Sequence, residues 1–111
     1  MPLKTMNPFD LHDAALDWAV AHCLGLAVTI GKYYDTKVIY HAPFEGREFA
    51  PSRDWATGGK ILQDAALNNP KFWELWKTHL PLSNRLILEH AMQCLVASAH
   101  ENGLGVPQEL L

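Results

Sequence analysis

The densest run of residues able to do chemistry is Phe49-Ala50-Pro51-Ser52-Arg53-Asp54-Trp55-Ala56-Thr57-Gly58-Gly59. Pro51 presets a turn, and Ser52 and Asp54 carry side chains that bond back to nearby backbone amides. Gly58 and Gly59 admit positive backbone torsions, or the close approach of a ligand or a second backbone. Such a loop offers amide hydrogens, the forked donor of Arg53 and the flat indole of Trp55 together, a set suited to an anionic or planar molecule. The same residues also fit a self-contained turn in which Asp54 caps Ala56 or Thr57 and Trp55 joins the core. Asp17 is the second unusual position, because it stands beside Trp18 among small apolar residues in helical sequence. Aspartate is a poor helix-interior residue, so it either faces water or accepts bonds from the glycine loop or from a ligand. Tyr40 supplies a further ring for stacking. Ser52, Arg53, Asp54, Trp55, Gly58 and Gly59, with Asp17, Trp18 and Tyr40, are therefore the predicted ligand-binding set.

Other chemistries find less support. The six histidines, His12, His22, His41, His79, His90 and His100, contain no pair four residues apart, and there is no HExxH or paired-cysteine spacing, so no metal is expected. Cys23 and Cys94 have no CxxC spacing and read as reduced thiols on apolar helices. Asp10 and Asp13 fit the positive end of a helix better than a carboxylate pair. No nucleophile and base can be matched by spacing, so no catalytic residue and no cofactor is assigned. Phe72, Trp73 and Trp76 form an aromatic cluster that would either anchor a protein partner or fill the core of a small domain.

These groups must be held by a few short elements. Asp10 is the expected cap of a first helix that runs to about Leu24 and stops at Gly25. Leu26–Ile30 and Lys37–Ala42 read as a β-hairpin around Gly31–Thr36, with room for a third strand from Arg47 to Ala50. The breakers from Pro43 to Gly59 predict an ordered loop. Ile61–Leu67 reads as a helix that stops before Pro70, and Lys71–Thr78 as another. Ser83 caps the last and longest helix, whose apolar stripe is Leu86, Ile87, His90, Ala91, Cys94, Leu95 and Ser98 and which ends near Glu101. The tail after Pro107 ends in leucines able to tuck onto the core. The expected class is α+β: an N-terminal helix, a small antiparallel sheet, a Gly-rich ordered loop, and a long C-terminal helix packed on the sheet.

With 111 residues, 49% of them hydrophobic and 19% charged, the chain suits one soluble domain spanning 1–111. A net charge of -3 disfavours nucleic acid as a partner. The start of the chain lacks an export signal, and no apolar run is long enough for a membrane span, so a cytoplasmic location is expected.

Three segments carry a likeness: Leu16-Asp17-Trp18-Ala19-Val20-Ala21, Ala50-Pro51-Ser52-Arg53-Asp54-Trp55-Ala56-Thr57-Gly58-Gly59, and Ala91 to Ser98 with Val106-Pro107-Gln108-Glu109-Leu110. In this order the chain resembles the phage NinX-like family. Ser52, Asp54, Trp55, Gly58 and Gly59 match that family's loop, whereas Phe49, Arg53, Lys60 and Gln63 depart from its usual Tyr, Thr, Pro and Glu. The resemblance implies a phage or prophage protein, acting in the host cytoplasm, and brings no reaction with it. The resulting expectation is a small accessory protein that binds an anionic or nucleotide-like molecule, for example to sequester a host defence signal. The competing expectation is an interaction module that engages a host protein through Phe72, Trp73 and Trp76. A homodimer is compatible with either.

Overall fold

The structure is a computed structural model that describes residues 2–41, 48–78 and 87–111. The first helix, α1 (Asp13–Leu24), begins later than Asp10 suggests. Asp10 lies in a tight turn, Pro8–Asp10, whose cap is Asn7, and α1 itself starts at His12 without a side-chain cap. Proline at the head of that turn fixes its φ, which favours the separate tight turn over a longer helix. At the other end Gly25 takes φ 69°, with its N–H on the His22 carbonyl and that of Leu26 on the Ala21 carbonyl. This is the Schellman ending that a glycine permits.

Chain reversal after α1 produces strands β2 (Val28–Tyr33) and β3 (Thr36–His41), paired antiparallel from Val28 opposite His41 to Tyr33 opposite Thr36. The connection is only Tyr34 and Asp35, tighter than the Gly31–Thr36 loop the sequence suggests. Gly31 stays in the ladder because the Tyr40 ring lies over it, 2.5 Å from where a Cβ would stand. The expected third strand reduces to one bridge, Glu48 to Tyr40, with the Phe49 N–H donated to the Ile39 carbonyl at 2.7 Å. Arg47, at the start of that expected strand, lies outside the described residues.

Helix α2 (Trp55–Asn68) starts six residues before the expected Ile61 and takes in both glycines that the sequence places in a loop. It stops before Pro70, where α3 (Pro70–Thr78) begins, and α4 covers Ile87–Ala99. The expected cap Ser83 and the stripe residue Leu86 lie outside the described residues. A second antiparallel pair, unforeseen from sequence, joins β1 (Leu3–Met6) to β4 (Leu104–Pro107), with Leu3 opposite Pro107 and Met6 opposite Leu104. Leu104 and Val106 point inward, Leu110 is half-buried, and Leu111 stays exposed. The protein is thus α+β, with four helices and two small sheets among the described residues.

Helix α4 packs on α1, α2 and α3, and α1 carries both β3 and β4. The expectation that α4 packs mainly on the sheet is corrected: the helices form the centre, since Ala91, Met92, Cys94 and Val96 are buried among them. Phe49, Phe72, Leu11, Leu16 and Ile39 are the largest fully buried apolar side chains around this centre.

Candidate functional site

The turn before α2 is built by its own hydrogen bonds. Arg53 and Asp54 both donate their N–H groups to the Ala50 carbonyl, at 3.1 and 2.8 Å. The Asp54 carboxylate then caps α2, accepting the Ala56 N–H at 3.0 Å and the Thr57 hydroxyl at 3.1 Å. Its carbonyl accepts the Gly58 N–H at 2.7 Å. A Cβ on Gly58 would stand 2.1 Å from the Pro51 carbonyl oxygen, so this glycine exists to let the helix meet the turn. The expectation of glycine amides turned toward a ligand is therefore corrected. Gly58 spends its amide on Asp54 and Gly59 lies within the helix, because an N-cap aspartate starts α2 early and both residues become helical.

Asp17 faces inward and is 1% exposed. Its Oδ1 accepts the Ser52 N–H at 2.9 Å, so of its two expected alternatives the bond to the loop is the one realised. Burial pushes its carboxyl up from the ordinary 3.8 to about 6, against the Ser52 hydrogen bonds and Arg53, which favour the ionised form, while Glu48 adds to the rise. Ser52 is buried, and Arg53 reaches out to pair with Glu48. Trp55 is 59% exposed, so the alternative that placed it in the core is not realised. Trp18 is half-buried and stacks on His22 with ring centres 5.3 Å apart, lining a groove with Leu26 and Val28. Of the predicted set, the structure brings Asp17, Ser52, Arg53 and Asp54 to one turn; Tyr40 covers Gly31, and Trp18 faces the start of the hairpin.

Sequence reasoning missed a cleft of about 400 Å³ between the end of α1, one face of α2 and the end of α4. Ile61, Ala65 and Leu95 give it apolar walls, Lys60 and Asp64 stand one helical turn apart on α2, and Cys23 and Ser98 add polar atoms. Asp64 accepts the Asn68 amide at 3.0 Å, and the Asn69 amide donates to the Ser98 hydroxyl at 3.0 Å. No ion pair of Lys60 occurs among the described residues. The four-residue spacing of Lys60, Asp64 and Asn68 was a usable signal, but only with α2 begun before Ile61.

The remaining reactive groups are held passively. Burial pushes the Cys23 thiol up to about 11 and that of Cys94 to about 12, which leaves neither as a ready thiolate. His12 Nδ1 lies 2.8 Å from Glu89 Oε1, and His22 sits between Trp18 and His100. Among the described residues no group of three or more His, Cys, Asp or Glu could hold a metal ion. Of the aromatic cluster, Phe72 is wholly buried and stacks on half-buried Trp76, so Trp73, at 47% exposure, is the ring left to solvent. No described helix is long and apolar enough to cross a membrane.

The family model described as Bacteriophage P22, NinX matches residues 7–100, a span running from the cap of the first turn past the end of α4. The chain belongs to the NinX family. That match takes in the three helices that wall the cleft, the Asp17–Ser52 contact and the capped start of α2. Neither the curated proteins nor the solved structures contain a match to it.

Proposed function

We propose that this NinX-family protein is a non-catalytic phage accessory protein that binds a small anionic, nucleotide-like molecule in the cleft between α1, α2 and α4. The observation that carries the reading is the cleft itself, whose volume of about 400 Å³ falls in the range of small-ligand sites. Its walls are apolar, and its charges are separated by one helical turn: Lys60 at one end and Asp64 at the other. A ligand that puts an anion at Lys60 and hydrogen-bond donors at Asp64 satisfies both, and a phosphate joined to a sugar or base has that polarity. An anion without donors would meet Asp64 unfavourably. In a phage setting, holding such a molecule would withdraw a host signal from use.

The competing reading, a host-protein contact through Phe72, Trp73 and Trp76, loses its footing because Phe72 belongs to the core and Trp76 lies half-buried on it. A thermal-shift screen of mononucleotides, dinucleotides and cyclic nucleotides tests the proposal. A ligand at a hundred times its dissociation constant adds about 2.7 kcal/mol and raises the midpoint, and Lys60→Ala and Ile61→Trp, which fills the cleft, should each abolish the rise. If no compound shifts the midpoint, or if both variants respond as the wild type does, the cleft is not a nucleotide site.

A further inference from the structure

Asp17 sits in the middle of α1 with 1% of its surface exposed, and its Oδ1 takes the Ser52 N–H at 2.9 Å. This bond ties α1 to the turn that leads into α2. The turn covers buried Phe49, Ala50 and Pro51, and Gly58 of α2 rests directly on the Pro51 carbonyl. A helix built otherwise of alanine, leucine and valine at its buried positions has no packing need for a carboxyl there.

The charged groups around Asp17 do not cancel its burial. Arg53 and Glu48 reach it with opposite effects and are paired with each other. On α4, Glu89 is engaged by His12 and His90 lies against the Phe9 and Trp76 rings; on β3, Lys37 pairs with Glu109. Among the described residues no cation is buried against the carboxylate, which therefore keeps a desolvation cost whenever it ionises.

We propose that the Asp17–Ser52 bond is a proton-operated latch: the turn at 50–54 lies docked on α1 while Asp17 is protonated, and opens locally more often once the carboxyl ionises. In the open turn Asp17 is hydrated, so ionisation favours opening. With the docked carboxyl titrating at about 6 and the open one at the ordinary 3.8, the open fraction rises roughly 25-fold between pH 4.5 and pH 7.5. Opening uncovers Phe49 and the underside of the turn, and it removes the support on which the first turn of α2 lies.

Amide hydrogen exchange on the full chain tests this. The protection factor of the Ser52 amide, corrected for intrinsic rates, should fall roughly 25-fold from pH 4.5 to pH 7.5 and stay below those of the Met92 and Val96 amides of α4, which report global unfolding. Asp17→Asn keeps an oxygen for the Ser52 N–H and cannot ionise, so its Ser52 protection should be flat with pH. A Ser52 protection that is flat in the wild type overturns the latch. So does a Ser52 protection that coincides with that of Met92 and Val96 at both pH values, or a fall that persists in Asp17→Asn. If the variant does not fold, the wild type decides by itself: Ser52 protection that falls with pH and stays below that of Val96 supports the latch, and any other pattern overturns it.

Discussion

Gly58 and Gly59 are neighbours in sequence with opposite predicted responses to alanine. Glycine inside a helix ordinarily costs about 0.5–1 kcal/mol relative to alanine, so replacement alone should stabilise at both. At Gly59 the new Cβ meets only Trp55 Cε3 at 3.6 Å, an ordinary contact, and the gain of about 0.5–1 kcal/mol should be realised. At Gly58 the Cβ would stand 2.1 Å from the Pro51 carbonyl oxygen and 2.8 Å from Leu88 Cδ1. The Leu88 side chain can turn aside. The carbonyl cannot, because Pro51 is buried in a turn whose Ala50 carbonyl holds two N–H groups and whose Ser52 N–H is held by Asp17. Helix and turn must part by about 1 Å to restore contact distance, and overpacking of this kind costs about 1–3 kcal/mol after the propensity gain is set against it. Urea denaturation followed by far-ultraviolet circular dichroism should place the Gly58→Ala midpoint below the wild type and the Gly59→Ala midpoint above it, with unchanged slopes. A Gly58→Ala protein as stable as the wild type would refute the assignment of this glycine to helix–turn packing.

Phe72→Ala should cost about 3–5 kcal/mol by leaving a hole in the core, whereas Trp73→Ala, one residue along and exposed, should stay within about 0.5 kcal/mol in the same denaturation assay. Asp54→Ala removes the cap of α2 and should lower stability by about 1 kcal/mol, with Asp54→Asn or Asp54→Ser largely restoring it. The folded Asp17 carboxyl titrates at about 6, above its ordinary 3.8, so its protonated form favours the fold. That contribution is complete below pH 3.8 and is lost as pH rises through 6, amounting to about 3 kcal/mol. Denaturation midpoints measured between pH 4.5 and pH 7.5 should accordingly lose this component in Asp17→Asn, and a slope identical in the two proteins would contradict it.

The legible part of this fold is local. Gly25 marked the end of α1 because a left-handed ending is cheapest for glycine, and Pro70 marked the break between α2 and α3 because the residue before proline avoids the helix. The hairpin was readable from its β-branched runs, although the covering of Gly31 by Tyr40, which keeps the ladder intact to Tyr33, is a cross-strand contact that no single run announces. Gly58 and Gly59 misled because the freedom of glycine and its smallness leave the same letter in the sequence; only the nearness of Pro51 separates them. For Asp17 the sequence offers water on one side and a bond from the glycine loop or a ligand on the other, and the partner Ser52, 35 positions away, is set only by the fold. The cleft was illegible because its walls come from three helices and its polar stripe on α2 depends on where that helix begins. The β1–β4 pair escaped for a related reason: each strand has four residues, and β4 includes Gly105, two positions after Gly103, letters that ordinarily signal a helix end followed by a tail.

That pairing sets an order of events during synthesis. Leu3–Met6 is synthesised before α1, yet its hydrogen-bonding partner Leu104–Pro107 is synthesised after α4, so the strand stays unmatched while the helices between them are made. The helices are free to gather first, since their contacts are nearer in sequence and cost less loop entropy to close. Leu104 and Val106 then dock as the closing piece, and a nascent chain halted before them carries an uncovered apolar patch together with an open strand edge, the combination that chaperones recognise.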